Sequence, residues 1–157
     1  MKPSDHVHFV PAGEGPCITY TGQVIHVKLS AAESNGELTV IEDVIAPQAG
    51  PPLHVHAREN ETYYVLEGEF EFTCGDDRVR GGVGTFVFAP RGVPHRYQNV
   101  GTTPGKLLFG FTPGGIEAFF TDMGNAPELN PETMYQIMAK HQITLVSPPA
   151  APRTPES

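Results

Sequence analysis

The sequence predicts an all-β chain, a sandwich or barrel of short strands followed by two short helices. Three observations predict it. Seventeen glycines and sixteen prolines punctuate short runs rich in Val, Ile, Thr, Phe and Tyr. Several of these runs alternate apolar and polar residues with the period of two that a half-buried strand requires. Only after residue 113 does the apolar spacing change to that of a helix. At 157 residues the chain fits one domain, able to bury a core without disulfides.

Ten runs read as strands: HVHFV (6–10), ITYTGQVIHVKLS (18–30), ELTVIEDVIA (37–46), LHVHA (53–57), ETYYVLE (61–67), EFEFTC (69–74), RVR (78–80), TFVFA (85–89), HRYQNV (95–100) and KLLFGFT (106–112). In EFEFTC, Phe70, Phe72 and Cys74 share one face and Glu69, Glu71 and Thr73 the other, so one face is buried and one is wet. Glu67-Gly68-Glu69 and Cys74-Gly75-Asp76-Asp77 carry turn chemistry, and both read as hairpins. A helix is expected over 115–123, with Ile116, Phe119, Phe120 and Met123 on one stripe and Gly124 as its cap. A second begins at Asn130, a good N-cap before Pro131, with Met134, Ile137, Met138 and His141 as its stripe. The chain thus divides into N-terminal strands (1–35) packing on a barrel (36–112), C-terminal helices (113–146) and a disordered Pro-rich tail (147–157).

A formal charge of −8 and a pI near 5.2 argue against a nucleic-acid partner, which would select a basic stripe. Cys17 and Cys74 are too few for a disulfide framework and are expected to be reduced thiols. MKPSDHVHFV lacks the apolar run of a secretory signal, and no segment approaches the roughly 20 apolar residues of a membrane helix. The expectation is a cytoplasmic protein with a small-molecule substrate and no membrane partner.

The chemistry-bearing residues gather in two stretches, GPPLHVHARENETYYVLEG (50–68) and GTFVFAPRGVPHRYQN (84–99). His54 and His56 flank Val55, so on a strand both imidazoles point to one side, roughly 6.6 Å apart along the chain. Glu61, returning on the neighbouring strand, adds an oxygen, and His95, from a strand further along, adds a third nitrogen. Burying three imidazoles and a carboxylate without an ion would be costly. A set of nitrogen and oxygen donors accepts Fe, Mn, Co, Ni, Cu or Zn and leaves two positions open on an octahedral ion. By contrast, His6 and His8 read as exposed residues of a terminal strand, His26 as strand surface, and the acidic group of Glu67, Glu69, Glu71, Asp76 and Asp77 as a solvated face.

These stretches resemble the two motifs of the cupin superfamily. The first motif reads Gly, five residues, HxH, three or four residues, Glu, six residues, Gly; His54, His56, Glu61 and Gly68 match it. Its opening glycine does not match, since residue 48 is Gln and the nearest glycine is Gly50. In the second motif Gly84, Pro90, Gly92, His95 and Asn99 meet every position. The resemblance implies a single-domain jelly-roll β-barrel with His54, His56, Glu61 and His95 as ligands of a divalent transition metal inside it. Alternation from Glu61 and His95 then turns Tyr63, Val65 and Tyr97 inward, and with Phe70 and Phe72 these would line a mainly apolar substrate pocket. Phe119 belongs to the core or to a helix that lids the barrel mouth.

PGGIEAFF (113–120) is similar to a segment of quercetin dioxygenase-like cupins. That implies a metal-dependent dioxygenase acting on a flavonol-like or enolic molecule, with Glu61 as ligand or, if an apolar lining raises its pKa, as general base. A non-catalytic small-molecule binding cupin, or a metal-dependent isomerase or cyclase using no oxygen, are the alternatives. The resemblance and the apolar face of VIHVKL (24–29) together lead us to expect a homodimer.

Overall fold

In the computed structural model, which describes residues 6–21 and 23–146, the alternating runs become strands in sequence order. They are β1 (Cys17–Tyr20), β2 (Gln23–Leu29), β3 (Thr39–Ile45), β4 (His54–His56), β5 (Asn60–Glu67), β6 (Phe70–Cys74), β7 (Asp77–Gly81), β8 (Phe86–Ala89), β9 (His95–Asn99) and β10 (Gly105–Thr112). Helices α1 (Glu117–Asn125) and α2 (Pro131–Lys140) follow, then a last strand, β11 (Ile143–Leu145).

Two sheets of antiparallel strands face one another. One runs β1-β2-β3-β10-β5-β8 and the other β11-β4-β9-β6-β7. This is the jelly-roll arrangement, two opposed walls rather than one continuous ring of hydrogen bonds. The period of two does the sorting. Along β3, Thr39, Ile41, Asp43 and Ile45 are buried, while Val40, Glu42 and Val44 face outward. Register then stacks the inward residues in rows. Thr39, Phe111, Glu61 and Ala89 make one row; Ile41, Phe109, Tyr63 and Val87 the next; Asp43, Leu107 and Val65 a third. The facing wall contributes Phe70, Phe72 and Tyr97. Fully burying an aromatic or aliphatic side chain of this size stabilises by about 1.5–3 kcal/mol, and the aromatic rings here meet edge to face at 5.3–5.7 Å, a favoured geometry.

The structure corrects the sequence reading in several places. Residues 6–10 form no strand. The run 18–30 is two strands, β1 and β2, which pair with each other and extend the six-stranded sheet instead of lying on a finished barrel. Gly68, at φ +86°, does not close a hairpin: β5 and β6 belong to opposite sheets, so the turn carries the chain across the sandwich. Gly75 does close one, between β6 and β7. Helix α1 runs through Gly124, which is no cap. The glycine is needed there because α1 packs so closely on β1 that a Cβ would stand 2.5 Å from the Thr19 carbonyl oxygen. Strand β11 was not foreseen; it pairs with β4 along its whole length. Helix α2 has the expected cap, with the Asn130 side chain accepting from the Thr133 amide. The tail, 147–157, lies outside the described residues. None of the described helices is long and apolar enough to cross a membrane.

The PGGIEAFF segment has a structural explanation of its own. Glu117, in the first turn of α1, accepts hydrogen bonds from the Ala31 amide and the Thr39 hydroxyl, and the Gly115 amide donates to that same hydroxyl oxygen. The carboxylate thereby fastens α1 to the rim where the Glu61 row lies.

Candidate metal centre

Strand β4 is only three residues long, and it carries two of the four expected ligands. It meets β9 through the pair His54 and His95, so the strand further along the chain that brings the second motif stands directly beside the first. The Gly92 amide donates to the His56 carbonyl and fixes the turn ahead of His95. Glu61 arrives differently from expectation. It lies on β5, in the opposite sheet, so the four side chains converge from both walls. The nearest glycine to the missing motif position, Gly50, has its own reason: a Cβ there would collide with the Tyr97 carbonyl oxygen.

One ligand atom from each of His54, His56, Glu61 and His95 falls within 4.8 Å of the others. His56, Glu61 and His95 are buried, and His54 is partly so. Glu61 Oε2 is 2.8 Å from His95 Nε2 and 3.3 Å from His56 Nε2. The outer ring nitrogens show which atoms face the cluster. His54 Nδ1 lies 2.8 Å from the Pro52 carbonyl and His95 Nδ1 2.9 Å from the Val93 carbonyl. A carbonyl only accepts, so both Nδ1 atoms carry a proton, which leaves each Nε2 as the atom that faces the cluster. The third imidazole has a carboxylate instead: His56 Nδ1 is 3.4 Å from Glu59 Oε2. Histidine ligands are commonly oriented by such outer partners. The donor set, its burial and these outer partners fit a divalent transition metal.

Sequence reasoning missed Glu59. It is 2% exposed, with Oε1 paired to Arg58 at 3.1 Å, and Arg58 donates onward to the Gly114 carbonyl. Its only signal was an acidic residue three positions after a histidine ligand, inside a run, ARENE, that reads as surface.

Electrostatics follow from the crowding. Burial alone would raise the Glu61 carboxyl, but hydrogen bonds and charge from His56 and His95 outweigh it and hold the group well below the usual carboxylate range. Burial lowers His56, yet Glu59 and Glu61 overcome it and bring the imidazole up to about 9. His54, whose attraction to Glu61 offsets burial only in part, falls to about 4.

Residues 41–111 match the Cupin domain family. A protein of Methanocaldococcus jannaschii described as uncharacterised is 30% identical over 94 residues, which is 59% of this chain and 75% of that protein. The chain belongs to the cupin superfamily. This cupin is also similar to the quercetin 2,3-dioxygenase of Bacillus subtilis, at 26% identity over 126 residues; that stretch is 77% of the chain but only 36% of the dioxygenase. Among solved structures, KdgF from Halomonas sp. shares the fold with a TM-score of 0.62 and 18% identity, over 72% of this chain and 99% of its own.

The structure places the expected pocket residues unevenly. Tyr63, Val65, Phe70, Phe72 and Tyr97 are buried between the sheets, with the Tyr63 ring 6.4 Å from that of His95. Phe119 lies on α1, and its ring meets Phe120 at 5.2 Å and His141 at 5.8 Å. Asn99, the last residue of the second motif, is buried, donates to the Ile45 and Thr103 carbonyls and accepts from the Gly101 amide.

Asp43 was not foreseen as an interior residue of interest. It is 3% exposed, and burial, partly offset by the Val44 amide, raises its carboxyl from 3.8 to about 7. Below 3.8 the group is neutral in folded and unfolded chains alike. Between 3.8 and about 7 only the unfolded chain readily releases its proton, so the group lowers stability as pH rises, and above about 7 its full cost is present. Asp43→Asn is therefore expected to be more stable than the parent at pH 8 by about 2–4 kcal/mol, a gain that shrinks toward pH 4. Denaturant unfolding across that range checks it; a pH-independent difference would sink it.

Proposed function

We propose that this cupin is a metal-dependent dioxygenase acting on a flavonol-like or enolic small molecule. The observation that carries the reading is a buried ring of three imidazoles and one carboxylate set against an aromatic interior. The similarity to quercetin 2,3-dioxygenase over most of the chain supports the choice of reaction. A divalent transition ion held by His54, His56, Glu61 and His95 would supply Lewis acidity and, where redox-active, electron transfer toward dioxygen.

The chain's own residues have separable tasks. Glu61 stands as a carboxylate and is proposed to act as a ligand or, where it leaves the ion, as the base that takes the proton of the substrate's enolic hydroxyl. Tyr63, Phe72, Tyr97 and Phe109 offer flat apolar surfaces suited to an aromatic ring, and their burial keeps water from the reacting carbon. Glu59 holds the His56 ring in one orientation, and the Pro52 and Val93 carbonyls do the same for His54 and His95.

Oxygen-electrode assays on a panel of flavonols and diketones, with the protein loaded in turn with Fe, Mn, Co and Ni, test the proposal. Uptake matched to substrate loss is expected. Substrate conversion without uptake would assign the isomerase or cyclase instead, and binding without conversion would make the protein a binding cupin.

A further inference from the structure

We propose that Asp43 is a second recognition point for the small molecule, receiving an O–H or N–H donor at the end of the ligand remote from the histidines. This rests on the reading that the interior holds a small molecule, but not on what reaction follows.

The first observation is a contrast in how the fold treats its buried polar groups. Buried Asn99 is bonded at both ends of its amide, and even the half-buried Glu117 accepts hydrogen bonds at both oxygens. Asp43 is buried like Asn99, yet its Oδ1 has no hydrogen-bond partner among the described residues, and the carboxyl's contacts are a long one of 3.4 Å from Gln23 to Oδ2 and the Val44 amide beside it. Leaving a buried acceptor unmatched costs free energy, so a structural role alone accounts poorly for it. Among the described residues four buried side-chain atoms are unmatched in this way, and two of them, His56 Nδ1 and Glu59 Oε2, face each other. The other two are Asp43 Oδ1 and the Tyr63 hydroxyl.

The second observation is where these two sit. Both point into the space between the sheets, in the rows that follow Glu61: Tyr63 in the next row, Asp43 in the one after. From Thr39, in the Glu61 row, to Asp43 is four residues along β3, about 13 Å at roughly 3.3 Å per residue. Tyr97 lines the interval, its ring 5.7 Å from that of Tyr63, and the Tyr20 and Tyr97 hydroxyls are both pushed up, first by burial, with Asp43 and Glu61 among the further causes. A flat, elongated molecule with one oxygen at the histidines and a hydroxyl at its far end would run past Tyr63 and Tyr97 and meet Asp43. Ile25 and Leu107 flank the carboxyl on the neighbouring strands, surroundings that favour a neutral hydroxyl over a cation.

The test is equilibrium binding without turnover. Zinc-loaded protein is titrated, in the absence of oxygen, with 3-hydroxyflavone and with 3,4′-dihydroxyflavone, which differs by one hydroxyl on the distal ring. The parent is expected to prefer the dihydroxy compound by about tenfold, as one hydrogen bond to a charged group allows. Asp43→Leu and Asp43→Ala are expected to lose that preference while keeping the parent's zinc stoichiometry and its affinity for 3-hydroxyflavone; Asp43→Asn, whose amide oxygen still accepts, should keep part of it. Persistence of the preference in either the Leu or the Ala variant overturns the proposal, as does a parent that binds the two compounds alike or binds neither. Selectivity without oxygen consumption in the separate uptake assay leaves Asp43 in this role and removes the dioxygenase; consumption without selectivity does the reverse.

Discussion

His95→Ala is expected to take bound transition metal from about one ion per chain to under a tenth of that after dialysis, with the β-sheet signal retained. The size of the effect follows from position. His95 is 1% exposed and bridges the two halves of the ring: β9 sets it opposite His54 in one sheet, and its Nε2 reaches Glu61 on the other. Removing the imidazole deletes one donor and leaves the buried Glu61 with one histidine fewer to hold its charge. A second readout separates loss of metal from loss of fold. An ion bound only by the folded chain stabilises it by about 2.7 kcal/mol at a hundredfold excess over Kd. Added zinc or nickel should therefore raise the parent's melting temperature and leave that of the variant unmoved. Elemental analysis showing a full equivalent of metal in His95→Ala would end the four-ligand assignment.

Glu59→Ala is expected to weaken metal binding by about 10–100-fold without touching a ligand. Glu59 faces the outer nitrogen of His56 at 3.4 Å and is itself held by Arg58. Without the carboxylate the His56 ring is free to turn or to exchange its tautomer, and Arg58 loses its partner. Glu59→Gln, whose amide oxygen can still accept from Nδ1–H, should fall between the two. Chelator competition measures the affinities, and parent-like binding by Glu59→Ala would show that Glu59 does not orient the ring.

The two predictions draw on different kinds of legibility. His95 was readable because nine motif positions stand in order along the chain, and because strand alternation alone sends His54 and His56 to one side. Glu59 was not, because its burial depends on the chain crossing between sheets directly after β4, and nothing local distinguishes that crossing from a surface loop. The same cause hid the true route of Glu61. Alternation in 61–67 gives a strand and its inward face, but Gly68 reads alike whether the next strand returns beside the first or crosses to the far wall. Gly124 misled for a related reason: a glycine near a helix end resembles a cap, and only the packing of α1 on Thr19 shows that it is there for its lack of a side chain. Asp43 lies in a run, TVIEDVI, where Glu42 and Asp43 look equivalent; register alone sends one outward and the other in.

The pairing of β11 with β4 bears on how the centre comes into being. β4 touches β9 through a single residue pair but lies against β11 at three, with Ile143 beside His56 and Leu145 beside His54. The strand that carries the first two histidines is thus completed by residues some ninety positions later in the chain. Such a contact is among the most non-local in the molecule, and closures of that span are slow to form. On a ribosome the motif of residues 54–68 would emerge early and remain half-paired until β11 followed it out. Metal capture is then expected to wait on the last described strand rather than on the first motif.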